Sequence, residues 1–211
     1  MRSWAELLSD KNRAVGEVAG VEAGKIEVFV YPEFYPNIHV GSILLVDSEN
    51  AKPVGLVLKL AHSTQHGQIM PLRKTRDELA RIYPDIDRYY RYVCVMAYTS
   101  HLSGNRIVHV RASMPRLHDL VFVVNSDALL DLFLRPEGSW NFDFLRYYIA
   151  EGASSLELRE FFYHHRDYFS RFGADRNSIV SKVARTLYLS GVSGIGRYVE
   201  DICAVLGWDY E

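Results

Sequence analysis

The clearest pattern in the chain is alternation between Arg13 and Leu60. Ile26, Val28 and Val30 alternate with Glu27, Phe29 and Tyr31, and Val54, Leu56, Leu58 and Leu60 alternate with Gly55, Val57 and Lys59. Successive side chains of a strand point to opposite faces, so a period of two predicts strands with at least one buried face. Gly20, Gly24, Gly41 and Ser48-Glu49-Asn50 supply turn residues between four such strands. An open four-stranded sheet has two unpaired edges, which must be covered or closed. The segments 93–98, 106–111 and 120–124 alternate in the same way and are the candidates to close it. Residues 1–135 therefore predict a small N-terminal antiparallel β-barrel.

Helical spacing appears between and after the strands. Trp4, Leu7 and Leu8 predict a short helical turn packed across the barrel mouth. Pro32 and Pro36 bracket an extended loop, and residues 62–70 read as a polar loop. Thr75 and Glu78 stand at capping-box spacing within a helix over 72–82, inserted in the barrel and stopped by Pro84. Asn125 or Ser126 opens a helix carrying Leu129, Leu130 and Phe133. Pro136-Glu137-Gly138-Ser139 reads as a linker, placing a boundary between a domain 1–135 and a helical domain 136–211. Four helices are expected there, one opened by Ser154 and Glu157 and running to Gly173, and a last one ending at Gly207. The expected class is α+β: a barrel with an inserted helix, followed by an all-α bundle.

Composition changes this picture little, but charge does. The 211 residues carry a net charge of −2, yet residues 71–116 hold nine basic and four acidic side chains, against nine and fourteen in 117–211. The middle segment predicts a local basic surface. Cys94 and Cys203 sit in apolar runs and read as buried thiols, which suits a reducing cytoplasm. No apolar run approaches the roughly 18 residues that span a bilayer, so no membrane partner is expected.

Four pieces of the first 135 residues carry a family resemblance: the opening strand Arg13–Val18, the pair Val40–Val46 and Pro53–Val57, the inserted helix Glu78–Ile86, and the exit Met114–Phe122. Together they resemble the barrel domain at the front of archaeal HerA-type hexameric DNA translocases, a barrel shared with rotary ATP synthase subunits. The resemblance implies a barrel that serves assembly and docks a nuclease. The ATPase core that follows in such proteins needs a Gly-x4-Gly-Lys-Ser/Thr loop to cradle phosphates. No such stretch occurs; Lys74-Thr75 follows Pro71-Leu72-Arg73. The implied function is a non-enzymatic adaptor of a DNA-processing system, with a HerA-type ATPase or its nuclease as protein partner and an oligomer compatible with that role.

Other chemistry reads as weaker. No Gly-x-Ser-x-Gly elbow exists; Gly191-Val192-Ser193-Gly194-Ile195 lacks its last glycine. His62 and His66 have helical metal-ligand spacing but lie in an expected loop without a third ligand, and adjacent His164 and His165 diverge on a helix. Glu200-Asp201 and Asp85-x-Asp87 read as solvated carboxylates. No catalytic residue, metal or cofactor is therefore assigned. Arg73, Lys74, Arg76, Arg106, Arg111 and Arg116, with tyrosines interleaved nearby, suit a nucleic-acid or protein partner. Gly194, Gly196 and Arg197 resemble a helix-hairpin-helix phosphate clasp, set against an ordinary glycine turn with acidic neighbours.

Overall fold

The computed structural model describes residues 3–49, 52–64, 74–84 and 90–208. The fold is α+β, built on a closed barrel of six antiparallel strands. Strands β1 (Gly16–Glu22), β2 (Lys25–Val30), β3 (Ile43–Asp47), β4 (Lys52–Thr64), β5 (Tyr90–Ser103) and β7 (Leu120–Val123) form the ring in the order β1-β2-β5-β4-β3-β7. β7 is four residues long and fills the seam, pairing with β1 through Leu120 and Val121 and with β3 along its whole length. The short β6 (Arg106–Val108) was an expected barrel strand. It instead hangs outside the ring, paired to the overhanging end of β5. It ends early because the Val110 amide bonds the Val108 carbonyl at 2.8 Å in a local turn.

Alternation sorts the wall. Val18, Ile26, Val28, Leu44, Val46, Met96 and Val121 fill the barrel, while Ile43, Leu45, Val54, Leu56 and Phe122 face outward into a second buried layer. Three irregularities interrupt strict alternation, one of them at Thr99, which the β5 pairing with β4 skips. In β4 the pairing with β5 skips Leu58, so the strand bulges. The extra residue shifts the period by one: Val54 and Leu56 face out, but Leu60 packs against the interior cluster. Gly20, expected in a turn, lies inside β1 beside a further bulge at Val18. Gly55 is required by close approach, because a Cβ there would run into the Ala97 carbonyl of β5.

The second layer is covered by helices. α1 (Trp4–Ser9) buries Trp4 and Leu7 in it. α2 (Arg76–Ile82) lies between β4 and β5 and has the expected Thr75–Glu78 capping box, with Tyr83 before Pro84 as its end. α3 (Asp127–Leu134) starts after Ser126. Residues 136–141 turn through Gly138 at φ +74°, and Trp140 and Phe142 then bury in the same layer. α4 (Phe144–Ala150) lies on β5 and β4, where the buried Tyr148 hydroxyl donates to the Val57 carbonyl at 2.9 Å.

The helix expected from Ser154 to Gly173 is two helices. α5 (Ser155–His164) has its Ser154–Glu157 capping box, breaks at His165, and α6 (Arg166–Ser170) follows at a new angle that buries Tyr168 and Phe169. α7 (Arg176–Leu189) and α8 (Ile195–Leu206) complete the layer, and Gly207 ends α8 in the left-handed conformation at φ +67°. Two other expected loops differ. Strand β4 runs through Thr64, so His62 lies in a strand. Residues 35–37 form a 3-10 turn rather than an extended loop, with Pro36 in its first positions, where a missing N–H costs nothing. Cys94 and Cys203 are free and buried, and burial pushes the Cys94 thiol up to about 12. Among the described residues, no helix is long and apolar enough to cross a membrane.

Candidate partner-binding surface

Residues 109–119 connect β6 to β7 without regular structure and strap across one end of the barrel. Its first half is tied to Tyr98 of β5. The Ala112 amide donates to the Tyr98 hydroxyl at 2.5 Å, and that hydroxyl lies 3.4 Å from the Ser113 carbonyl. Burial, the main cause, raises the Tyr98 pKa, so the phenol keeps its proton and can donate to the Ser113 carbonyl while accepting from Ala112. Arg111 Nε donates to the Tyr98 carbonyl at 2.6 Å, and its guanidinium binds Glu151 Oε1 at 2.5 Å and stacks 4.8 Å over the Tyr147 ring. The strap's far half is held by the His118 amide on the Val18 carbonyl and by Asp119 Oδ2 on the Arg116 amide at 2.8 Å. Its outer face carries Val110, Met114 and Leu117, all exposed, beside exposed Val108 of β6.

The fold brings three of the sequence-predicted basic residues to this end, and each meets a carboxylate. Arg106 lies 4.0 Å from Glu137, Arg111 2.5 Å from Glu151 and Arg116 2.9 Å from Glu49. The Arg106 and Arg116 side chains are 78% and 65% exposed, so their pairs are weak and open to exchange. Arg111 is partly buried and triply held, which makes it a cross-link between strap and helix α4 rather than a free cation. Lys74 is exposed just ahead of α2. Arg76 opens α2, but its side chain, like Arg73, Arg88, His66, Asp85 and Asp87, lies outside the described residues.

The glycine hairpin belongs to the helical layer. Gly194 is left-handed at φ +70° before α8, and a Cβ at Gly194 or Gly196 would meet nothing within 4 Å. Arg197 is exposed on the first turn and has no ion pair among the described residues.

Sequence reasoning missed a buried polar pair. Ser100 Oγ lies 2.8 Å from His109 Nδ1, with Thr99 Oγ1 at 3.2 Å from the serine. A serine hydroxyl on an imidazole has the makings of an activated nucleophile. Here, however, Ser100 is fully buried and His109 packs between the Phe133 and Phe144 rings at 5.2 and 5.3 Å. Burial pushes His109 down to about 4, so it is neutral at physiological pH and serves as a core group. The signal for it is the tight turn at Ser103-Gly104-Asn105, which pairs Ser103 with Arg106 and His101 with Val108 and so brings Ser100 opposite His109. Among the described residues, no three His, Cys, Asp or Glu side chains converge as metal ligands. A cleft of about 520 Å³ lies on the barrel wall near Glu22, Lys25, Glu27, Lys59 and Glu151 and is lined by no serine, cysteine or histidine. Scanned against models of known families and against curated proteins, the chain matches none.

Proposed function

We propose that this chain is a non-enzymatic adaptor of a HerA-like DNA-processing system, of the kind that handles DNA ends, and that it docks a protein partner through its barrel. The observation that carries this reading is the strap. It covers one barrel end, is anchored from beneath by Tyr98 and Arg111, and turns Val110, Met114 and Leu117 to solvent. Exposed apolar groups on a held backbone bind at low ordering cost. The barrel interior, by contrast, is filled with side chains. The partner on this reading is a HerA-type ATPase or the nuclease that accompanies it, met in the cytoplasm.

The test is affinity capture from the native organism with the unaltered chain and with a Met114→Asp/Leu117→Asp variant. The reading expects a DNA-processing ATPase or nuclease with the first and its loss with the second, at unchanged thermal stability. Capture that returns no such protein removes the reading.

A second reading, nucleic-acid binding, draws support from the open Gly194-Ile195-Gly196 turn and the unpaired Arg197. It expects affinity for DNA that falls steeply with salt, and an Arg197→Ala variant with a shallower slope. An Arg106→Ala/Arg111→Ala variant tests the basic segment in the same assay. An unchanged slope excludes the substituted residues as phosphate contacts.

A further inference from the structure

Three histidines meet away from the strapped end of the barrel, where the loop between β2 and β3 touches the α5–α6 elbow. The loop is firmly seated on the barrel. Ile38 is buried in the interior cluster, the His39 amide donates to Ser42 Oγ at 2.9 Å, and the Gly41 amide donates to the Val57 carbonyl at 2.8 Å. Gly41 adopts φ +85° and presses on the backbone of α5, where a Cβ would come within 2.5 Å of Phe161 Cα.

Beside that contact the His39 ring lies flat on the His164 ring, with centroids 4.4 Å apart and planes 7° from parallel. His165, at the break between α5 and α6, is half-buried and packs edge-on to Phe161 at 5.0 Å; a hydrogen bond with the Gly41 backbone ties it to the loop, while its Nε2 has no hydrogen-bond partner among the described residues. A cavity of about 360 Å³ adjoins the three rings. The joint thus consists of two stacked imidazoles, His39 exposed and His164 partly so, and a half-buried third with no carboxylate partner among the described residues.

We propose that this joint is an acid-operated latch, in which protonation of the histidines separates the α5–α6 elbow from the 38–42 loop while the barrel stays closed. Stacked rings attract when neutral and repel when both are cationic, and an unpaired buried charge is costly. The surrounding groups offset this only in part, and at His165 only through the Gly41 backbone bond. On α5, Glu160 lies 3.4 Å from His164 Nε2 and alone favours its cation; on α6, Arg166 opposes it and pairs with Asp167. From α3, Asp127 is already bound by Arg171, and Asp131 accepts from the Tyr168 hydroxyl at 2.9 Å. Consistent with the geometry, burial first and then His39 hold His164 below its ordinary value, and burial pushes His165 down to about 4.

The test is amide hydrogen exchange, corrected for the intrinsic pH effect, from pH 7.5 to 4.5. The latch expects at least tenfold faster exchange in α5 and α6 at the acid end with β4 and β5 unchanged, and a His39→Asn/His164→Gln/His165→Gln variant that stays protected throughout. Equal loosening in that variant, or no loosening in the unaltered chain, overturns the proposal. Should the variant not fold, NMR of the unaltered protein decides. The ring-current displacement of the His39 and His164 signals must vanish over the pH range in which the helices open. If the displacement persists while they open, the latch is excluded.

Discussion

The two buried layers of this protein are built from different side chains. The barrel interior holds thirteen buried residues, nearly all branched aliphatics, with Cys94, Met96 and Tyr98 as the exceptions. The layer between wall and helices holds the phenylalanines and tryptophans: Trp4, Phe122, Phe133, Trp140, Phe142, Phe144, Phe161, Phe162 and Phe169. A six-stranded cylinder is narrow, and inward side chains from all around it must share its axis, so compact ones predominate there. The gap between a sheet and a helix accepts broad rings that interleave edge to face, as Phe144 and Phe161 do at 5.6 Å. The layer's extra width also admits buried His109 and half-buried His165, whereas none of the described histidines packs in the interior. The interior is therefore indifferent to pH over the range in which the layer is not.

The sharpest way to break this contrast is truncation. Phe161→Ala should cost about 3–5 kcal/mol in denaturant unfolding, while the subtler Ile26→Val in the interior should cost about 1 kcal/mol. A small loss for Phe161→Ala would mean that the layer is loosely packed. Acid is the next probe. His109 and His165 are neutral in the fold but protonated in the unfolded chain below about pH 6.5. Their contribution is complete above that pH, is lost as pH falls toward 4, and falls no further below it. Each should remove roughly 3 kcal/mol across that window, and His109→Asn should flatten its share of the curve. Gly41→Ala should cost about 2 kcal/mol, from its left-handed backbone and its contact with Phe161. Tyr98→Phe should cost about 1 kcal/mol and deprotect the Ala112 amide without melting β5. Arg116→Ala should lie within about 0.5 kcal/mol of the parent, since its pair is exposed.

The sequence was most informative where structure is local. Alternation located the strands because each has one committed face, and the Thr75–Glu78 and Ser154–Glu157 boxes located helix starts because both partners lie within one turn. The bulge at Leu58 left no mark, since an inserted leucine looks like any strand leucine. The break at His165 has neither proline nor glycine; it arises because Tyr168 and Phe169 must reach the core. At the barrel end, Arg106, Arg111 and Arg116 were legible as basic. Their partners Glu137, Glu151 and Glu49 come from three separate regions of the chain, so only the fold reveals that these three arginines are paired.

The four-residue seam strand has a consequence for how the molecule is made. As the polypeptide leaves the ribosome, β1 through β5 can assemble in ring order, but β1 and β3 stay as raw edges until Leu120–Val123 arrives between them. For that interval the nascent sheet is a split tube that can recruit neighbouring chains. Fragments ending before Leu120 are expected to sediment as aggregates, and the 211-residue chain, with both edges paired and the outer wall covered, to remain dispersed. A last short stave, rather than the long β4 and β5, decides whether the cylinder is shut.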